Sequence, residues 1–321
     1  MKFFYTKNII YSFLMGAIVF LFPWEHINSN LMSADYGTNL RHLETPGWFE
    51  KKYEINNIFS YTNQDLFDFV LMKLKYVLHD SELVLKLISG FIMFIWAYFC
   101  LSRMNIFFAL LFLLHPFAID MILNTIRNSI AFSTIIVATM IPIKIISYSL
   151  LAFAPFWHIT AVCGLFFVTV KDFIIERLRS KVFILAAIVF TGIIIATLPT
   201  FFNEIFFSLV PDRTQNVYLS AVKDNLVGRE IDSIIILIIL ILIITSPREY
   251  LKKHYFIAIL LVWFSIMNLM MPFANRLWAG FSPFLAYAVW DLRKEMRLLV
   301  MCFWIPYLLV SYYQWSTLFR S

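Results

Sequence analysis

The sequence predicts an all-α polytopic integral membrane protein with about 10–11 transmembrane segments. Of its 321 residues, 61% are hydrophobic and only 14% are charged, whereas an average soluble domain has about 25% charged residues. The mean hydropathy is +0.79, and several apolar runs approach the roughly 20 residues that a helix needs to cross a bilayer. We therefore expect one transmembrane domain over residues 1–321, with longer loops at about 25–82 and 201–232. Neither loop is long enough for us to expect a separate enzyme domain, so any chemistry should lie at the membrane.

The apolar segments follow one another along the whole chain. The first, 9–24, follows two lysines and lacks a small-residue cleavage site. It is therefore expected to be a retained helix with a cytoplasmic N-terminus. The remaining segments are expected at 83–101, 105–115, 116–141, 146–170, 182–198, 233–245, 256–272, 277–290 and 298–315.

The charges of the loops predict the orientation. Residues 25–82 carry nine acidic and five basic side chains, which favours the outer side under the positive-inside rule. The loops 171–181, 248–253 and 293–297 are basic and should be cytoplasmic. This assignment requires one segment to turn back. The best candidate is 146–170, because Pro155 interrupts it just before His158, so we expect a broken helix or re-entrant pair whose turn faces outside.

A stripe of polar side chains enters the segment that begins at Pro116. Asp120, Asn124, Arg127 and Asn128 have the spacing of one helical face. Arg127 would lie about 15 Å along this helix, where an unpaired arginine costs at least about 2.5–3.5 kcal/mol. Two interpretations remain open: an anion-binding site, or a contact between Arg127 and Asp120 that only holds helices together.

A second arginine is expected on the same side of the membrane. Arg276, next to Asn275, lies in a tight turn that the loop assignment places outside. Two guanidiniums at this side could bind a lipid-linked anion such as a diphosphate, because arginine matches phosphate oxygens in a bidentate way. The alternative is that Arg276 simply reaches lipid headgroups.

Other side chains could take part in chemistry. An imidazole titrates near neutral pH, so His158 is a candidate base, although a single histidine can also be a hydrogen-bonded core residue. Asp35 and Tyr36 follow the first helix and are further candidates, or they are ordinary solvated loop residues. Arg213 is either a third anion contact or a loop charge.

Several function classes lack their usual motifs. The sequence has no glycine-rich phosphate loop, no nucleophile elbow, no metal-ligand cluster and no Asp-x-Asp pair. We therefore expect no metal and no cofactor. The net charge of +6 comes from loops between apolar segments rather than from a basic patch with interleaved aromatics, so we expect no nucleic-acid partner.

Two short motifs resemble those of the EpsG/Wzy-like family of bacterial polysaccharide polymerases. The stretch Asn-Thr-Ile-Arg-Asn-Ser-Ile-Ala at 124–131 is similar to the family's Asn-x-x-Arg-Gln-x-x-Ala element, with Asn128 in place of glutamine. The stretch Phe-Trp-His-Ile-Thr-Ala at 156–161 is similar to its His-x-Ser-Ala element. An early Asp/Tyr pair and a late arginine also have counterparts in residues 35–36 and 275–276, so the resemblance extends along nearly the whole chain.

The resemblance implies a polymerase that joins oligosaccharide repeat units carried on undecaprenyl diphosphate at the periplasmic face of the bacterial inner membrane. In this hypothesis Arg127 and Arg276 bind the diphosphate, His158 is the base, and Asp35 is the rival base. Membrane lipids and a chain-length regulator would be partners. The remaining candidates for substrate binding are Asn124, Asn128, Tyr36, Asn275 and Arg213.

Three other functions stay open. A lipid-linked glycan ligase would use the same donor with another acceptor, and a membrane O-acyltransferase could also use a histidine and an arginine. A transporter would equally contain broken helices and charges within the membrane. It would be favoured by an internal repeat with two interrupted helices, whereas only 146–170 shows a convincing interruption.

Overall fold

The computed structural model describes residues 6–23, 35–45, 66–158, 161–201, 227–270 and 279–317. Within these ranges the secondary structure is helical and no strand occurs, which confirms the all-α class. A short 3₁₀ helix covers Ile175–Arg177. The α-helices of the described ranges are α1 (Thr6–Leu21), α2 (Asp35–Glu44), α3 (Leu66–Leu78), α4 (Ser81–Leu101), α5 (Ile106–Leu113), α6 (Pro116–Leu123), α7 (Ile126–Met140), α8 (Lys144–Trp157), α9 (Val162–Phe173), α10 (Lys181–Phe201), α11 (Val227–Thr245), α12 (Arg248–Met270), α13 (Ser282–Asp291) and α14 (Lys294–Thr317).

The helices are those of a polytopic membrane protein. Among the described residues, two are long and apolar enough to cross a bilayer, over Ser81–Leu101 and Lys294–Trp315. A third span results if α5 and α6, which meet at an angle of 68°, are taken together. Shorter apolar helices cover Thr6–Leu21, Ile126–Met140, Lys181–Ala196 and Ser233–Thr245. The total of about 10–11 spans stays a prediction.

Two of the predicted segments are interrupted. The break in 146–170 is confirmed, since α8 ends at Trp157, His158 has extended backbone angles (φ −160°, ψ 134°), and α9 begins at Val162. The single helix expected over 116–141 is wrong, because α6 ends at Leu123 and α7 begins only at Ile126.

Part of the predicted outer loop is folded. The stretch 25–82 contains α2 and α3, which pack against each other and against α4. Phe67 and Leu71 of α3 are fully buried in this packing. The described part of this stretch therefore belongs to the helical core, while most of the other predicted loop, 201–232, lies outside the described residues.

The chain forms two compact units, one of residues 1–165 with 309–321 and one of residues 166–308. In the first unit, α1 crosses α4 at a pair of glycines. A Cβ atom added to Gly16 would lie 2.6 Å from the carbonyl oxygen of Gly90, and one added to Gly90 would lie 3.0 Å from the carbonyl oxygen of Gly16. Glycine is therefore needed for this backbone-to-backbone approach, as is common between membrane helices.

In the second unit, α12 and α13 are joined by polar bonds at one end. Asp291 Oδ2 lies 2.8 Å from His254 Nε2 and 2.5 Å from Lys253 Nζ. The hydroxyl of Tyr250 donates to the carbonyl of Ala288 at 2.6 Å. These contacts fix the end of α13 that leads into the basic loop 293–297.

Candidate functional site

The predicted polar stripe lies at a break between two helices. Asn124 caps the C-terminus of α6, and Thr125 (φ −95°, ψ 50°) stands between the two helices. Arg127 is the second residue of α7. The polar residues are therefore grouped around an interruption in the backbone rather than spread along one continuous helical face.

Three hydroxyl groups bind the carbonyl groups that this break releases. Thr125 Oγ1 and Ser129 Oγ donate to the carbonyl of Met121 at 3.0 and 2.5 Å. Ser89 Oγ, from α4, donates to the carbonyl of Ile122 at 3.0 Å. Since hydrocarbon offers no water to pair such groups, these hydroxyls stabilise the interrupted backbone.

The N-terminus of α7 has no side-chain cap. The hydroxyl of Thr125, at the N-cap position, binds Met121 instead of the first-turn amides. The first N–H groups of a helix have no partner within it and carry a partial positive charge. Arg127 adds a full positive charge in the same turn, so this end of α7 favours an anion such as a phosphate.

Two amide side chains beside Arg127 have unused acceptors. Asn124 is only 4% exposed, and its Nδ2 donates to Asp120 Oδ1. The Oδ1 atoms of Asn124 and Asn128 are buried and find no hydrogen-bond partner among the described residues. Each therefore has hydrogen-bonding capacity that the described residues do not use.

The second predicted motif comes to the same place. Only residues 141–143 connect α7 to α8, and the two helices have 15 and 14 residues, or about 22 and 21 Å. They form a packed antiparallel hairpin, so the start of α7 lies beside the end of α8. His158, which directly follows α8, therefore lies at the same end of the hairpin as Arg127. The site at the open end of this hairpin is called the hairpin site below, and it comprises Asn124, Arg127, Asn128 and His158.

The EpsG family model matches residues 13–319, which is nearly the whole chain. The chain belongs to the EpsG family. This confirms the resemblance drawn from the two motifs, both of which lie within the matched range. No curated protein and no solved structure matches the chain significantly. Membership of the EpsG family indicates a polysaccharide-polymerase-like function and a glycosyltransferase-like activity in general.

Of the other predicted site residues of this EpsG-family chain, Asp35 and Tyr36 lie within the described ranges. Asp35 and Tyr36 begin α2, and Tyr36 is buried at 7% exposure, so it is not a solvated loop side chain. Their roles stay predictions. Arg213, Asn275 and Arg276 lie outside the described residues.

Sequence reasoning overlooked the hydroxyl residues that hold the break. Ser89, Thr125 and Ser129 of the EpsG-family chain are buried and bind backbone carbonyls rather than solvent. Their signal in the sequence is weak: each is a small polar residue within an apolar stretch, and membrane helices often contain such residues at packing contacts. Within the described ranges, no three or more His, Cys, Asp or Glu side chains are grouped as metal ligands would be. The metal independence of the reaction stays a prediction.

Proposed function

We propose that this protein polymerises oligosaccharide repeat units carried on undecaprenyl diphosphate, producing an O-antigen, a capsule or an exopolysaccharide. In this proposal it lies in the bacterial inner membrane with a cytoplasmic N-terminus, and the hairpin site faces the periplasm. The observation that carries the proposal is the position of Arg127. It lies in the uncapped first turn of a 15-residue apolar helix, at the same end of the hairpin as His158.

The donor's diphosphate would bind at the start of α7. Arg127 supplies a guanidinium that can bind two phosphate oxygens, and the first-turn amides of α7 supply further donors. In the hypothesis drawn from the sequence, the other predicted guanidinium, Arg276, binds the same group. Asn275 and Arg213 would be auxiliary contacts.

The amide oxygens of Asn124 and Asn128 would bind the sugar next to the diphosphate. Buried acceptors that no described residue pairs favour a ligand rich in hydroxyl groups, because leaving them unpaired costs free energy. Phosphate itself offers few donors at neutral pH, so these two acceptors distinguish a glycosyl diphosphate from a simple anion. Tyr36 stays a further candidate contact to the substrate.

The reaction would be a direct displacement. An acceptor hydroxyl attacks the anomeric carbon of the donor, the bond from that carbon to the diphosphate oxygen breaks, and undecaprenyl diphosphate leaves with the bonding electrons. His158 takes the proton of the attacking hydroxyl, and Asp35 is the rival base. Arg127 stabilises the charge that develops on the leaving diphosphate, which is why no metal is invoked. One displacement inverts the anomeric centre.

Membrane lipids surround this site, and a chain-length regulator would act on the growing polymer. A glycan ligase would use the same donor but transfer it once, so it would produce no ladder of lengths. A membrane O-acyltransferase would require an acyl donor, and a transporter would move substrate without forming a bond.

Glycan length in cells lacking this gene tests the proposal. The intact protein should restore a ladder on a gel, whereas Arg127→Ala and His158→Ala at equal expression should leave single repeat units. Loss of two charge-assisted hydrogen bonds at about 1.5 kcal/mol each predicts a roughly 100-fold slower reaction for Arg127→Ala. Arg103→Ala is the matched control, because this guanidinium, in the turn that follows α4, binds the carbonyl of Phe99 at 3.0 Å. A ladder that forms without the protein, or with Arg127→Ala, contradicts the proposal.

A further inference from the structure

A groove of about 440 Å³ lies between α3, α4, α7 and α8. Its α7 wall includes Ile130, Thr134 and Val137, and Trp157 contributes from α8. All of these elements belong to the first compact unit, which also contains the hairpin site.

On α7 the groove begins about one helical turn beyond Arg127. Ile130, Thr134 and Val137 follow Arg127 by three, seven and ten residues, which places all four on one face of α7. Trp157, on the opposite wall, directly precedes His158. From Arg127 to Val137 this face extends about 15 Å along the helix axis.

The chemistry of the lining favours hydrocarbon. None of the described residues that line the groove is charged. Its two hydroxyl groups are already engaged, since Ser133 Oγ accepts from Trp96 Nε1 at 3.0 Å and Thr134 Oγ1 donates to the carbonyl of Ile130 at 2.9 Å. No polar group in the lining therefore demands a polar ligand.

The wall of the groove that α4 forms is partly exposed. Leu87 and Phe91 line it and are 43% and 60% exposed. In a bilayer such apolar surfaces face the acyl chains of lipids. A long hydrocarbon chain could therefore enter the groove from the membrane without crossing a polar boundary.

We infer that this groove binds the polyprenyl chain of the lipid-linked donor, with the diphosphate held at Arg127. The inference rests on the proposed function for the identity of the donor. A prenyl diphosphate has one chain for each anionic head, which matches one apolar groove ending at one anion-binding helix terminus. A phospholipid would bring two chains to the same place. The groove would align the donor, because a chain held along α7 fixes the distance of the diphosphate from His158.

The test compares the binding of two sugar-free probes. Full-length protein in phosphatidylcholine nanodiscs is titrated with undecaprenyl diphosphate and with geranyl diphosphate, which have the same head and very different chains. With both probes compared at equal mole fraction in the lipid, which removes the effect of partitioning, the longer probe should bind at least about tenfold more tightly, because its chain packs against the groove instead of against lipid. Equal affinities of the intact protein for the two probes would overturn the inference, and this result needs no variant.

Two matched variants localise the effect. Thr134→Trp fills the groove, whereas Thr139→Trp adds the same side chain at an exposed position five residues further along α7. The native hydroxyls are comparable, since each donates to a carbonyl of its own helix, at 2.9 and 2.8 Å. Thr134→Trp should remove the preference for the longer chain and leave geranyl diphosphate binding unchanged, and Thr139→Trp should keep the preference. A preference that survives Thr134→Trp places the chain elsewhere and overturns the inference.

Neither probe carries a sugar, so this test is independent of polymerisation. A length preference found together with a failed ladder assay would support the groove as a polyprenyl site, and only the polymerase proposal would fall. A ladder found without a length preference would overturn the assignment of the groove to the polyprenyl chain and leave the polymerase proposal unaffected. Displacement of undecaprenyl diphosphate by an equal concentration of phosphatidylglycerol would show an ordinary phospholipid site and would also overturn the inference.

Discussion

The hydroxyl of Ser89 should be the main contribution of α4 to the shape of the hairpin site. In an unbroken helix the carbonyl of Ile122 would accept a hydrogen bond from the amide of residue 126, but the break at residues 124–125 interrupts this pattern. Ser89 Oγ donates to this carbonyl at 3.0 Å, and both residues are fully buried. Ser89→Ala therefore leaves a buried carbonyl group without its partner.

Two known energies limit the stability that Ser89→Ala is expected to lose. An unpaired buried acceptor costs about 1–3 kcal/mol, while hydrogen bonds between membrane helices average about 0.6 kcal/mol and reach about 1.7 kcal/mol. Because this carbonyl also lacks its regular helical partner, we expect a value of about 1–2 kcal/mol, near the upper membrane limit. The corresponding drop in the midpoint of thermal unfolding is roughly 2–4 °C per kcal/mol.

Thermal unfolding in detergent and the glycan ladder together test this expectation. Ser149→Ala is the matched control, since the Ser149 hydroxyl is exposed and binds the carbonyl of Ile145 within its own helix at 2.8 Å. Ser89→Ala should lower the midpoint and shorten the ladder, whereas Ser89→Thr, which keeps a hydroxyl, should retain more of both. If Ser89→Ala unfolds at the same temperature as Ser149→Ala and gives a normal ladder, the reasoning about the break is refuted.

Four further substitutions test other contacts. Gly16→Ala should destabilise the protein by about 1–3 kcal/mol, and Gly90→Ala should destabilise it by less. The added carbon comes 2.6 Å from a carbonyl oxygen at Gly16 but 3.0 Å from one at Gly90. A lower melting point for Gly90→Ala than for Gly16→Ala would contradict this packing. Asn128→Ala should keep or slightly raise stability, because it removes a buried acceptor that has no partner among the described residues. It should slow repeat-unit joining in vesicles about tenfold, the equivalent of one lost hydrogen bond. Asp291→Ala should lower the melting point by leaving buried His254 without its partner, at about 1 kcal/mol. Burial alone would raise the pKa of Asp291, but its bonds to His254 and Lys253 of α12 outweigh burial and lower this pKa. In the native protein the stabilisation by Asp291 should therefore persist at neutral pH and be lost as the pH falls below the ordinary value of 3.8.

The break near His158 could be predicted because its causes are local. Pro155 cannot donate within a helix, and the charges of the loops require one segment to turn back. The loop charges also predict that Arg127 and His158 lie on the same side of the membrane. In the structure, the three-residue connection between α7 and α8 places the start of α7, with Arg127, beside the end of α8, which His158 follows.

The break at residues 124–125 could not be predicted from its own segment. That segment has no proline or glycine at the interruption, and its polar residues have helical spacing, so a continuous helix was the simplest expectation. The interruption depends on a partner elsewhere, the hydroxyl of Ser89, 33 residues away from Ile122. Likewise, the acidic composition of 25–82 indicated a loop, although its buried side chains Phe67 and Leu71 pack α3 into the core. Tertiary contacts decided the structure in both places.

The uncapped start of α7 and the two unpaired amide oxygens have a consequence for the lifetime of the protein. Native proteins commonly give up folding stability where they bind their ligands. A donor that pairs these groups would return that stability, and at 100 times its dissociation constant it would add about 2.7 kcal/mol. Under the proposed function, resistance to heat and to proteases should therefore follow the supply of lipid-linked repeat units. A cell that exhausts this supply would hold the protein in its most easily degraded form, so the amount of enzyme would adjust to the amount of substrate.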